Sequence, residues 1–152
     1  MADFNKFFEG DENKWLLSLK DYQRNIVNEF INKSDTYNAA AEKWLTSSPD
    51  QTVPFGSSPD RINKEQYLQK FMLELEKFVC GDGKYEEERN KLLSKSNLTE
   101  ATIVSSVSSA IAPFVGAAAP FLIPVVVLAF MTITKISKNA WCEARKENRS
   151  ES

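Results

Sequence analysis

Apolar residues recur at helical spacing through the first 96 residues of the chain and then merge into one long apolar stretch at residues 101–134. No charged side chain lies in that stretch. As a single helix it would be about 50 Å long, well beyond the roughly 20 residues that cross a bilayer core. Proline and glycine at positions 113, 116, 120 and 124 also interrupt a continuous helix. The pattern therefore predicts two apolar helices with a break between Pro113 and Pro120.

Each of the two apolar helices has its own boundary signals. Asn97 and Glu100 match a capping box at the start of the first helix. The second helix is predicted at about 121–142 and is apolar around its whole circumference, which is typical of a helix buried in a protein core or in a membrane. The residues predicted to form this membrane or core segment are Ile103, Val107, Ile111, Phe114, Phe121, Leu122, Val126, Leu128, Phe130 and Ile133.

Positive and aromatic residues follow the second apolar helix. Lys135, Lys138 and Trp141 are therefore candidates for an anchor at a membrane–water interface. Basic residues also precede the stretch, and positive charge on both flanks favours a hairpin that returns to the same side of a membrane. A single kinked span and a hairpin buried in a soluble core are the other two arrangements that the pattern permits.

The first 96 residues predict amphipathic helices. One helix is expected from Asp11 to about Lys33, with Trp15, Leu19, Ile26 and Phe30 on its apolar face. Others are expected at 36–46, from about residue 58 or 63 to Gly81, and at 84–95. A segment rich in proline and serine, residues 47–60, reads as a long loop.

These elements together predict an all-α protein of about six helices. Residues 1–96 would form an amphipathic helical subdomain, residues 97–142 an apolar helical pair and residues 143–152 a polar tail. In layout alone, amphipathic helices followed by an apolar helical hairpin resemble the pore-forming domains of colicins. That resemblance implies a hairpin that is held in a soluble bundle before it meets a membrane.

Charge and composition limit the chemistry of the chain. Residues 1–100 have a net charge of −4 and residues 135–152 a net charge of +2, so no basic excess indicates nucleic-acid binding. The chain contains no histidine, and no phosphate-binding glycine motif or CxxC pair is present. We therefore predict no enzyme activity, no catalytic residue, no cofactor or metal site and no small-molecule substrate.

Two cysteines, Cys80 and Cys142, lie far apart in the sequence and are expected to be thiols, because a disulfide requires an oxidising compartment. The N-terminus has no apolar signal region, which favours a cytoplasmic protein, at the inner face of the plasma membrane if it binds lipid. Four aromatic or aliphatic residues outside the main helices are candidates for contact with a partner: Phe7, Phe8, Val53 and Phe55.

The sequence therefore predicts a small, non-enzymatic, membrane-associating helical protein. Its apolar C-terminal pair would insert into a membrane or perturb it, as an effector or toxin-like component does. The predicted partner is membrane lipid, with a protein partner or a second copy of the chain as further candidates. The alternative is a soluble helical adaptor or interaction module in which the apolar pair is the buried core.

Overall fold

The computed structural model describes residues 4–47, 64–96 and 98–151, and every regular element in these ranges is helical. This confirms the all-α class, while the number of helices exceeds the predicted six. Three of the elements are short 3₁₀-helices, at Phe4–Phe8, Glu12–Ser18 and Gly83–Tyr85. The α-helices are α1 (Asp21–Asn32), α2 (Tyr37–Ser47), α3 (Lys64–Cys80), α4 (Glu86–Leu93), α5 (Glu100–Val115), α6 (Ala119–Ile136) and α7 (Lys138–Glu151).

Helix α6 occupies the centre of the fold. It packs against α5, α2 and the 3₁₀-helix Glu12–Ser18, and α3 lies on the other side of α5. The buried apolar side chains of all these elements form one continuous cluster. The cluster includes Trp15 and Leu19 as predicted, together with Phe71 and Leu75 of α3, whereas Ile26 and Phe30 are only partly buried against it.

The helix predicted from Asp11 to Lys33 is divided in two. Asp11 caps its first part by accepting a hydrogen bond from the backbone N–H of Asn13 at 2.9 Å. The backbone becomes extended at Leu19 and Lys20, and α1 begins after this turn. Arg24 donates from its guanidinium to the carbonyl oxygens of Leu16 and Leu19, so carbonyl groups near the turn keep a partner.

The predicted break in the apolar stretch is present. Helix α5 ends at Val115, Gly116 takes a left-handed conformation with φ of 87°, and α6 begins at Ala119. A residue with a Cβ atom would be strained at that φ, which explains the glycine. The N-cap of α5 is Thr99, whose side chain accepts from the N–H of Thr102. The predicted cap, Asn97, lies outside the described residues.

Two boundaries in the C-terminal part differ from the prediction. The second apolar helix ends at Ile136 instead of reaching residue 142, because the chain bends at Ser137 and begins α7 at Lys138. Residues 143–151, predicted as a frayed polar tail, continue α7 as a helix up to Glu151. Helix α7 lies against α3 and α6.

The expectation of two free thiols is wrong. Cys80 at the end of α3 and Cys142 in the first turns of α7 form a disulfide, with their Cα atoms 5.9 Å apart. Sequence separation concealed the pairing, because the two cysteines are 62 positions apart and the whole apolar hairpin lies between them. Most of the predicted loop at 47–60, including Val53 and Phe55, lies outside the described residues, so the predictions made for it stand as predictions.

Candidate functional site

The apolar hairpin, defined as α5, the link Gly116–Ala118 and α6, is the most unusual feature of the fold. From Phe121 to Met131 every side chain of α6 is buried except that of Ile123, which is half-buried. Pro124 is the sixth residue of α6 and does not end the helix, although its missing N–H leaves the carbonyl of Pro120 without the usual helical donor. The sequence-predicted residues Leu122, Val126, Leu128, Phe130 and Ile133 all belong to this buried core.

Two tryptophans hold α6 at its two ends. Trp44 of α2 donates its indole N–H to the carbonyl oxygen of Phe121 at 3.0 Å. Trp15 donates to the hydroxyl of Thr134 at 2.8 Å. Each indole ring also packs on an aromatic ring of α6, Trp44 on Phe121 and Trp15 on Phe130. The outer helices therefore contact α6 through a few directional bonds as well as through apolar area.

The N-terminal aromatic residues belong to the same contact. Phe8 is buried, and its ring centroid lies 5.1 Å from that of Phe130 and 5.8 Å from that of Trp15. Phe7 is partly buried against the core. Both residues were predicted as candidates for partner contact, and in this structure the partner of Phe8 is α6 itself.

Helix α5 has one buried and one exposed face. Ile103, Val107 and Ile111 face the core, whereas Ser105 and Ser109 are exposed. On the exposed side, Ser106 and Ser109 line an open groove of about 320 Å³ between α5 and α4, together with Glu88, Lys91, Leu92, Lys95 and Ala110.

The tip of the hairpin is apolar and lies at the protein surface. Pro113, Ala118 and Pro120 are exposed, and Phe114 is 47 % exposed. Phe114 is the one residue of the predicted membrane or core segment that is not buried. Its ring is partly covered by the ammonium group of Lys84, which lies 3.7 Å from the ring centroid.

The residue that positions Lys84 is a buried carboxylate, Glu74 of α3. Glu74 accepts hydrogen bonds from Lys84 at 2.7 Å and from the hydroxyl of Tyr85 at 2.6 Å. The ammonium groups of Lys70 and Lys77 each lie 3.6 Å from its second oxygen. We call these five residues the Glu74 cluster. The ring of Tyr85 also packs edge-on against Phe114, so the cluster joins α3 to the hairpin tip.

The Glu74 cluster keeps its carboxylate ionised. Burial by itself raises the pKa of Glu74, but the hydrogen bonds from Lys84 and Tyr85 and the charges of Lys77 and Lys84 outweigh burial and lower the pKa to about 2. The same contact raises the pKa of Tyr85, because burial and the neighbouring carboxylate both disfavour a phenolate. Glu74 is therefore charged at any pH at which the chain is expected to work.

Among the helices that the structure describes, one is long and apolar enough to cross a membrane. It is α6, with 18 residues and a mean hydropathy of 2.0, and 61 % of it is buried within the fold. The core helix of a soluble protein passes the same test. Of the predicted interfacial residues that follow it, Lys135 is exposed, Lys138 is half-buried and Trp141 is buried against the body of the protein.

Within the described ranges, no three His, Cys, Asp or Glu side chains come together in a way that could hold a metal ion. Comparison with models of known protein families, with curated proteins and with solved structures gave no match. The properties of the hairpin and its surroundings are therefore the basis for assigning a function.

Sequence reasoning missed the Glu74 cluster and the bend at Ser137. A signal for the cluster was present, since Glu74 lies on the apolar face between Phe71 and Phe78 and has lysines three and four residues away, at Lys77 and Lys70. Lys84 and Tyr85 carry no such signal, because they reach Glu74 across a turn. Ser137 follows an apolar run without a glycine or proline to mark a bend.

Proposed function

We propose that this chain is a non-enzymatic, membrane-associating protein that stores an apolar hairpin in a soluble bundle and inserts it into a membrane. The observation that carries the proposal is the combination of α6, which has no charged residue before Lys135, with an exposed apolar tip at residues 113–120. A core helix needs the first property but has no need for the second. An apolar tip at the surface is the part that would meet a bilayer first.

The dimensions of the hairpin support partial insertion. At about 1.5 Å per residue, α6 extends about 27 Å and α5 about 24 Å, slightly less than the roughly 30 Å of the hydrocarbon core. A hairpin that enters tip first would therefore keep its tip in the hydrocarbon or near its far boundary. Its base, with Lys135 and Glu100, would remain in the interface where charged side chains are tolerated.

The outer helices would lose few polar bonds on opening. The directional contacts to α6 are the indole hydrogen bonds of Trp15 and Trp44, and both tryptophans are suited to a membrane interface. The tip is held by Lys84 and Tyr85 of the Glu74 cluster. Lipid is the partner in this proposal, and the proposed site of action is the inner face of the plasma membrane, where the reducing compartment would keep Cys80 and Cys142 as thiols. Effector or toxin-like activity is one use of such insertion.

The test uses Ala118, the exposed N-cap residue of α6, whose side chain makes no capping bond. Ala118→Asp and Ala118→Ser both supply a capping oxygen, which stabilises a helix by about 1 kcal/mol. Both variants should therefore melt at an equal or higher temperature than the wild type. Only the aspartate carries a charge that must enter the hydrocarbon, at a cost of up to about 2.5–3.5 kcal/mol.

Flotation with liposomes and release of an entrapped dye would be measured for the wild type and both variants. We expect Ala118→Ser to bind liposomes and release dye like the wild type, and Ala118→Asp to bind up to about 60- to 300-fold more weakly, since about 1.4 kcal/mol is tenfold. Equal binding by the two variants would contradict tip-first insertion. A wild type that never floats, whatever the lipid charge, would contradict the membrane proposal as a whole.

The second candidate is a soluble helical adaptor that binds a protein partner or a second copy of itself. The burial of α6 under directional tryptophan contacts favours it, because such contacts hold a core in one arrangement. In this case the chain melts as one cooperative unit and does not float with liposomes, and the Ala118 variants differ from the wild type only in stability.

A further inference from the structure

The bend between α6 and α7 rests on a strained residue. Ser137 has φ of 130° and ψ of 155°, the one non-glycine residue with positive φ in the described parts of the chain. This region of backbone conformation is essentially restricted to glycine, and other residues remain there only where the surrounding structure holds them. Straightening at Ser137 would relieve the strain and join α6 and α7 into one helix.

Ser137 also has a structural role at the bend. Its N–H donates to the carbonyl of Ile133 at 2.7 Å and so closes the end of α6. Its hydroxyl accepts from the N–H of Ala140 at 3.1 Å, and its carbonyl accepts from that of Trp141 at 3.0 Å, which begins α7. A serine cap thus offsets part of the strain. In a continuous helix, the N–H groups of Ala140 and Trp141 would each donate to the carbonyl four residues earlier. Straightening therefore leaves neither N–H group without a partner.

Among the contacts that hold α7 in its bent position, three involve Cys142, Arg145 and Trp141. The disulfide joins Cys142 to Cys80 of α3. Arg145 donates to the carboxylate of Glu76, also on α3, at 3.0 Å. The third contact is Trp141, which is the single buried side chain among residues 138–147 of α7. Every other side chain described in α7 is exposed or half-buried, so α7 buries little apolar area and the disulfide is its one covalent attachment in the described residues.

We infer that the Cys80–Cys142 disulfide is a redox-sensitive clasp that holds α7 bent against the strain at Ser137. Both cysteines are half-buried, so a small dithiol reductant reaches them. A thiolate of the reductant attacks one sulfur atom of the disulfide, and the S–S bond breaks. Two electrons and two protons pass to the protein, leaving Cys80 and Cys142 as thiols and the reductant as a disulfide. Helix α7 then leaves α3 and continues the axis of α6.

The redox state of the clasp would depend on the compartment in which the chain is located. A reducing cytoplasm keeps the two cysteines as thiols and α7 open, whereas an oxidising compartment closes the bond. This behaviour is a property of the protein in solution and does not rest on membrane insertion. If the clasp were disproved, the proposed membrane function would be unaffected. If membrane insertion were disproved, the clasp would be unaffected.

The test is NMR spectroscopy of the full chain in oxidised form and after reduction with dithiothreitol. Two signals report the bend: the Cα chemical shift of Ser137 and the solvent exposure of the Trp141 indole. We expect a non-helical shift and a protected indole in the oxidised protein. After reduction we expect a helical shift and an exposed Trp141, while the indoles of Trp15 and Trp44 stay protected.

Two substitutions at the hinge provide opposite controls in the reduced protein. Ser137→Gly removes the strain of the bent form, whereas Ser137→Ala keeps the strain and removes the cap. The ratio of open to bent form should be at least about fivefold higher in Ser137→Ala than in Ser137→Gly. An unchanged Ser137 shift on reduction would overturn the inference. So would exposure of all three tryptophans on reduction, since the disulfide would then stabilise the whole fold instead of one bend.

Discussion

Replacement of the buried carboxylate Glu74 by glutamine is the most informative single perturbation of this fold. Glutamine has nearly the same size and can still accept a hydrogen bond from Tyr85, but it removes the negative charge that faces Lys70, Lys77 and Lys84. The change therefore tests the electrostatic contribution of the Glu74 cluster with little effect on packing.

The magnitude follows from the pKa of Glu74, which falls from 4.5 to about 2 on folding. At about 1.4 kcal/mol per unit, the folded state gains about 3 kcal/mol from the ionised carboxylate. The lysine ends are partly exposed to water, which screens their charges, so we expect Glu74→Gln to lower the free energy of unfolding at pH 7 by about 2–3 kcal/mol. The melting temperature should fall by roughly 5–10 °C.

The pH dependence has a definite direction. Because the pKa of Glu74 is lower in the folded protein, the unfolded chain takes up the proton first as the pH falls. The stabilisation is complete above pH 4.5 and is lost between pH 4.5 and about pH 2. The difference between wild type and Glu74→Gln should therefore be constant from pH 7 to about 5 and shrink towards zero near pH 2.

Urea unfolding followed by circular dichroism at several pH values measures this difference. The matched control is Glu29→Gln, which removes a carboxylate from an exposed i, i+4 pair with Lys33 and should leave the midpoint nearly unchanged. A Glu74→Gln deficit that stayed the same from pH 7 to pH 2.5 would refute the electrostatic explanation. If Glu74→Gln lowered the free energy of unfolding no more than Glu29→Gln does, the Glu74 cluster would have no stabilising role.

Three further substitutions test the packing around α6. Leu75→Ala, at a fully buried position, should cost about 2–5 kcal/mol in urea unfolding, and a near-neutral result would place the α3 face outside the core. Trp15→Phe removes the hydrogen bond to Thr134 and part of a fully buried ring, so it should cost at least about 1 kcal/mol; an unchanged midpoint would show that Trp15 does not hold α6 in place. Val127→Lys places a charge at a side chain with no exposed area, so the soluble protein should lose its cooperative melting transition. A sharp transition retained by this variant would show that α6 is not the centre of the soluble fold.

Much of the fold follows from local sequence alone. The all-α class, the helix pair with its break and the apolar faces of Trp15, Leu19, Phe71 and Leu75 are all set by short-range spacing. The helical spacing of apolar residues and the placement of prolines depend only on residues that are close in sequence, and they act before any tertiary contact forms. The left-handed turn at Gly116 is likewise a local requirement, because glycine adopts that conformation at little cost.

Other features arise only from tertiary structure. Cys80 meets Cys142, and Lys84 reaches both Glu74 and Phe114, because elements distant in sequence are brought together by the packing of α3 against α5 and α7. Spacing along the chain carries no information about such pairs. Ser137 illustrates the same limit in the backbone: by local preference it would continue the helix, and the attachment of α7 to α3 holds it in a conformation that serine seldom adopts.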